Sequence, residues 1–168
     1  MQFEKLFEMQ KTLDARIIED KGLRGIDLIP NTILALQVEL GECANEWRGF
    51  KHWSNDRLPR TEKLLVEYVD CLHFILSVGL RIGVSEKYRY KDLIQELSGV
   101  NEAFRHTFSW LSSLDYVVSD NLKSELVYSH MFNVFIALGR LLGFTWDEIE
   151  AAYIAKNAVN HERQSNGY

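Results

Sequence analysis

Apolar residues along the chain recur at three- and four-residue intervals almost throughout, the period of helices with one buried face. From Phe3 to Ile18 the set Phe3, Leu6, Phe7, Leu13, Ile17 and Ile18 predicts a first helix, with Gly22 and Gly25 marking the loop after it. Pro30, Asn31 and Thr32 signal the start of a second helix, which runs to about Trp47 on the stripe Leu36, Leu40, Cys43 and Trp47. Arg48 to Arg60 holds Gly49, the turn-forming Trp53-Ser54-Asn55-Asp56 cluster and Pro59, and reads as a loop. Thr61 is the expected N-cap of a third helix reaching about Ile82. After a connection from Gly83 to Tyr90 come two helical segments near Lys91–Leu114 and Asp120–Leu142, the second with Leu126, Phe132, Phe135, Ile136 and Leu138. Thr145, followed by the first-turn acids Asp147 and Glu148, opens a last helix to about Gln164. No alternating Val/Ile/Thr-rich run, internal repeat or low-complexity stretch interrupts this pattern. The expectation is a single all-α domain over residues 1–168, a bundle of about six helices.

Composition sharpens the picture in three ways. Only two prolines and ten glycines in 168 residues leave few helix breakers. A net charge of −5 argues against a partner bound through its phosphate backbone, so no nucleic acid is expected. Cys43 and Cys71 are too few for a disulfide framework and read as small core side chains. The first eleven residues mix apolar with charged positions, and no apolar run approaches the roughly 20 residues of a membrane span. The protein is therefore expected in the cytoplasm, away from membranes.

Acidic residues carry the candidate chemistry. Glu39 and Glu42 stand at i and i+3 on the second helix with Glu46 one turn further, and Glu67 and Asp70 repeat the spacing on the third. A short loop makes the two helices antiparallel neighbours able to aim both pairs into one space. Facing carboxylates repel and resist desolvation unless a cation neutralises them, and all-oxygen ligands suit Mg²⁺, with Mn²⁺ as a substitute. The competing reading is a solvated acidic helix face.

Lys156, Asn160 and Arg163 lie at i, i+4 and i+7 on the last helix with Gln164 beside them, donors that fit a polyphosphate. A basic helix end complementing the macrodipole is the alternative. Ser165-Asn166-Gly167-Tyr168 reads either as a frayed end or as a closing flap. Gln10 falls on the apolar stripe of the first helix, where a buried amide must find partners and is suited to reading a nucleobase edge. His73 and Phe74 continue the acidic face of the third helix, Phe74 offering a surface for a base to stack on and His73 reading equally as a core histidine. Trp53 in the loop either stacks on a ligand or covers the core.

Three strings, LQVELGECANEWRGFKHW, EYVDCLHFILSVGL and KNAVNHERQSNGY, resemble the dimeric all-α dUTPases of bacteria and phages, within the wider all-α nucleoside-triphosphate pyrophosphatase group. That group carries ExxE followed some tens of residues later by ExxD, here Glu39/Glu42 and Glu67/Asp70. The resemblance covers about residues 1–85 and 146–168; the segment 86–145 is similar only in being helical. It implies hydrolysis of dUTP to dUMP and pyrophosphate with Mg²⁺, limiting uracil entry into DNA and supplying dUMP for thymidylate synthesis. It implies Glu39, Glu42, Glu67 and Asp70 as metal ligands and Glu42 or Glu46 as the group orienting the attacking water. It places Gln10, Trp53, His73 and Phe74 around the uracil and Lys156, Asn160, Arg163 and Gln164 on the phosphates. Cys43 stands where relatives are expected to carry Asn, so Asn45 or another group takes that contact or the contact is absent. A homodimer is implied, and the aromatic-rich middle (Phe104, Phe108, Trp110, Phe132, Phe135) adds to that expectation by exceeding what a small monomer needs to bury. Alternatives are hydrolysis of another nucleotide such as dCTP, or a non-catalytic helical binding module. A di-iron carboxylate bundle needs paired Glu-x-x-His motifs, and the chain offers only Asp70-x-x-His73.

Overall fold

The computed structural model describes residues 3–84 and 88–167. Residues 85–87 of the expected Gly83–Tyr90 connection, Met1 and Gln2, and Tyr168 of the C-terminal segment lie outside the described residues. Among those described, the chain forms α1 (Phe3–Asp20), α2 (Ile29–Trp47), α3 (Thr61–Arg81), a 3₁₀ turn (Ile94–Glu96), α4 (Val100–Ser119), α5 (Glu125–Leu141) and α6 (Trp146–Ser165), with no strand. Among the described residues no single helix is long and apolar enough to cross a membrane.

Two of these helices are central. α3 buries nearly every residue from Tyr68 to Gly79, and α5 every residue from Met131 to Gly139. They cross through a reciprocal pair of contacts. The Tyr68 hydroxyl donates to the Phe135 carbonyl and lies against Gly139, while the Tyr128 hydroxyl donates to the Ile75 carbonyl and lies against Gly79. A Cβ at either glycine would fall within 2.4 Å of the facing hydroxyl, so only glycine fits there. α2 packs along α3 and α4 along α5, and α1 and α6 lie together against α3. A continuous apolar core, with residues from all six helices, fills the space between.

The pattern of buried positions explains each amphipathic helix. α1 turns Phe3, Leu6, Phe7, Gln10 and Leu13 inward, a stripe of three- and four-residue steps with one polar member. α6 buries only Ile149, Tyr153 and Asn157. Its start is fixed by a full capping box: Thr145 accepts the Glu148 N–H and Glu148 accepts the Thr145 N–H.

Several boundaries differ from expectation. The helix expected at Lys91–Leu114 is a 3₁₀ turn followed by α4, because Asn133 accepts the Lys91 N–H, Asp92 accepts the Ile94 N–H and Glu102 accepts the Ser98 N–H. The Ser98 N–H, which a continuous helix would direct at the Ile94 carbonyl, goes to the Glu102 carboxylate instead. The next helix begins at Glu125 rather than Asp120, since α4 runs on to Ser119 and the chain turns through Asn121 at φ 55°. Thr61 is helical rather than a cap. The preceding Arg60 is held instead by its N–H to the Glu46 carbonyl and its guanidinium to the Glu46 carboxylate. Phe104, Phe132 and Phe135 are buried within the chain's own core and Phe108 and Trp110 half-buried against it, so these aromatics do not demand a second subunit.

Candidate active site

A cavity of about 410 Å³ lies between α1, α2, α3 and α6. Pairings along its walls fix the register. Gln10 meets His73 and Tyr153, Asp14 meets Ser77, and Arg16 meets His161 and Ser165. α1, α3 and α6 therefore run in the same direction through the site. The antiparallel α2 closes it with Asn31, Thr32, Ala35 and Glu39.

The acidic end holds Glu39, Glu67 and Asp70, each bringing a carboxylate oxygen within 4.8 Å of the others'. The Lys156 ammonium donates to Asp70 at 2.5 Å. Burial, then the charges of Asp70, Glu42 and Glu67, push the Glu39 carboxyl up to about 7, with Lys156 pulling the other way. Burial and the neighbouring Asp70 and Glu42 raise Glu67 as well. Fully ionised, the three carboxylates against one ammonium would carry an excess of two negative charges in a half-buried space. Hard oxygen donors with that surplus fit a divalent cation of the magnesium type.

Glu42 is exposed and outside this triad, close enough for its charge to bear on Glu39 and Glu67. Glu46 is buried with its carboxylate engaged by Arg60 at 3.3 Å. Cys43 and Cys71 are fully buried beside one another in the α2–α3 interface. Asn45 is exposed and accepts from Lys51 rather than facing the cavity.

Beyond the triad the walls become a polar pocket. Gln10, 4% exposed, accepts from the Tyr153 hydroxyl at 2.9 Å, bonds His73 Nδ1 at 2.8 Å and donates to Asp14 at 2.8 Å. The His73 ring lies flat on Tyr153, centroids 4.1 Å apart. Burial, then the Lys156 charge, hold the imidazole down to about 3 against the weaker pull of the Tyr153 carbonyl, so it is neutral at physiological pH. Asp14 also accepts from the Ser77 hydroxyl at 2.6 Å and faces Arg81 at 3.8 Å. Burial pushes its carboxyl up against these stabilising partners. Phe74 is half-buried and lines the same space.

Lys156, Asn160, Arg163 and Gln164 all line the cavity. Lys156 sits at the acidic end, while Arg163 lies seven residues along α6, about 10 Å of helix rise away, between His161 and Ser165 that meet Arg16 of α1. Trp53 is not brought to the cavity within one chain: it is 68% exposed in the α2–α3 loop, edge-on to Phe50 and His52. Three buried polar atoms of the cavity wall, His73 Nε2, Arg81 Nε and Gln164 Oε1, have no hydrogen-bond partner. Such atoms are costly unless a ligand satisfies them.

Sequence reasoning missed Asp14, Ser77, Arg81 and Tyr153. A signal was present for two of them: Ser77 and Arg81 continue the Asp70 face of α3 at i+7 and i+11.

A comparison with curated proteins finds no match. A family description of dUTPases matches residues 2–168, spanning the helical middle as well as the motif-bearing ends. With the acidic triad, Lys156 and Arg163 of α6, and the polar pocket gathered around one cavity, the chain belongs to the dUTPase family, hydrolases of nucleotide metabolism that act on dUTP.

Proposed function

We propose that the protein is a Mg²⁺-dependent dUTP diphosphatase releasing dUMP and pyrophosphate, working as a single-domain homodimer in the cytoplasm. The observation that carries this reading is one cavity with an acidic triad at one end and buried polar atoms without partners, His73 Nε2 and Arg81 Nε among them, in its wall. Glu39, Glu67 and Asp70 hold the metal, with Glu42 completing the set. Once bound, the ion supplies charge neutralisation at the triphosphate oxygens and acidifies a water.

The chain's own residues do the rest. Lys156, paired with Asp70 at the acidic end, supplies an ammonium that would meet a phosphate oxygen of the substrate. Asn160 donates alongside it, and Arg163 and Gln164 close over the phosphates from further along α6, excluding bulk water. Of the two candidates for the water, Glu46 is engaged by Arg60, which favours Glu42 as the group that orients it and takes its proton. The uracil stacks on Phe74, with Gln10 and His73 meeting its polar edge. The pocket wall opposing C5 rejects the thymine methyl by contact.

Two observations support the dimer. Leu34 and Val38 are exposed four residues apart on α2, and Val66 and Leu58 are exposed nearby in sequence on α3 and the loop before it. A second subunit also gives the exposed Trp53 a cavity to reach. Sedimentation at twice the 19.6 kDa of one chain is expected, and a mass of one chain at micromolar concentration would refute the dimer.

The function is tested by ion-exchange product analysis of dUTP, dTTP, dCTP and UTP, each incubated with protein and Mg²⁺. Conversion of dUTP alone to dUMP, abolished by chelator, is expected. Preferred cleavage of dCTP would retain the metal site and overturn the base assignment. Turnover of none of the four would favour the non-catalytic binding module.

A further inference from the structure

We propose that Asp14 is a positioning residue for base selection: its carboxylate orients the Gln10 amide, and Gln10 fixes which nitrogen of His73 carries the proton. The inference rests on the dUTP reading for its substrate, and on hydrogen-bond polarity for everything else.

An ionised carboxylate only accepts hydrogen bonds. Asp14 accepts from Ser77 Oγ at 2.6 Å on one oxygen and contacts Gln10 Nε2 at 2.8 Å on the other. The Gln10 NH₂ group must therefore face Asp14, because turning the amide over would set its oxygen against the carboxylate. That orientation aims Gln10 Oε1 at the Tyr153 hydroxyl and at His73 Nδ1. The amide oxygen is itself an acceptor, so Nδ1 of the neutral ring must be the protonated nitrogen.

His73 Nε2 is left with a bare lone pair. It is buried, it has no partner, and its ring lines the cavity. A bare nitrogen there accepts from a pyrimidine whose N3 carries hydrogen, as in uracil. Cytosine, with an unprotonated N3, would oppose one lone pair with another and leave both buried and unpaired. The charge on Asp14 is thus read out at the base three hydrogen bonds away. Tyr153 stacks under the ring and donates to the same amide oxygen, holding the relay in plane.

The test is long-range ¹H–¹⁵N NMR of the full-length protein labelled in its histidines, without nucleotide, His73 being identified by its loss in His73→Gln. Wild-type protein is expected to carry the His73 proton on Nδ1. Asp14→Asn offers Gln10 an NH₂ group as readily as an oxygen, so the ring is expected to populate both tautomers. The kcat/KM ratio of dUTP over dCTP is expected to fall by about 10- to 100-fold, and Asp14→Glu to restore both readouts in large part. A wild-type proton on Nε2 would overturn the proposal without recourse to any variant. A folded Asp14→Asn protein with unchanged tautomer and unchanged ratio would do the same. Wild-type protein with the proton on Nδ1 but no turnover of dUTP would support the relay and overturn the substrate reading, so the two fail separately.

Discussion

Replacing Glu67 with Gln removes one carboxylate of the triad and leaves the Lys156–Asp70 ion pair in place. This one change is expected to have opposite effects on the metal-free and metal-bound protein. Two unit charges 4.8 Å apart repel by about 3 kcal/mol at an effective dielectric near 20. Glu67 is only half-buried and Lys156 offsets part of its field, so about 1 kcal/mol of relief is the realistic figure. For a chain of this length that raises the metal-free melting midpoint by about 2–4 °C. Mg²⁺ at a hundred times its Kd stabilises the wild-type protein by about 2.7 kcal/mol, and an affinity about tenfold weaker cuts this to about 1.4 kcal/mol at the same concentration. Calorimetric melts in chelator and in Mg²⁺ measure both quantities. A variant that melts lower in chelator and keeps the wild-type Mg²⁺ shift would refute the reasoning and return Glu67 to an ordinary helix face.

Two further outcomes follow from the same structure. Glu39, raised to about 7 in the metal-free protein, favours folding when protonated; that contribution is complete below its unfolded value of 4.5 and lost as pH rises through 7. Metal-free melts should therefore weaken between about pH 5 and 8, saturating Mg²⁺ should flatten that decline, and titration calorimetry should show Mg²⁺ affinity falling below pH 7 as protons compete. In the core, Gly139→Ala places a methyl carbon 2.4 Å from the Tyr68 hydroxyl and 2.6 Å from its ring. Overpacking of that kind costs about 1–3 kcal/mol, and Tyr68→Phe in the same chain should recover part of it in denaturant titrations. Simple additivity of the two substitutions would show that the contact is not the cause.

Much of the fold was legible because local signals and tertiary packing agree in it. The Thr145–Glu148 capping box and the Leu36, Leu40, Cys43 stripe are both realised. Gln10 stood out as polar on an apolar stripe, and it lies in the pocket. The segment before α4 reads as helix because Leu93, Ile94 and Leu97 keep helical spacing, while Asn133, far away in sequence, anchors its start and Glu102 takes the Ser98 N–H that a continuous helix would need. The aromatic middle suggested an interface because composition counts rings without knowing that Phe132 and Phe135 face Tyr88 and Tyr68. At the site, i, i+3 spacing found the acidic triad. It could not separate Glu46, engaged by Arg60, from the free end of the cluster, since that pairing depends on where the loop returns. Asp14 was invisible for a similar reason: its meaning depends on the register of α1 against α3, which places it opposite Ser77 and Arg81.

The central claim is that one cavity binds metal and dUTP together, and the most direct measurement is a crystal structure with Mn²⁺ and a non-hydrolysable dUTP analogue, using anomalous scattering to locate the metal. Mn²⁺ is expected on Glu39, Glu67 and Asp70, with Lys156 moved from Asp70 to a phosphate oxygen and the uracil on Phe74 with its N3–H directed at His73. Manganese bound away from the triad, or the base seated outside the Gln10–His73–Phe74 pocket, would contradict that claim.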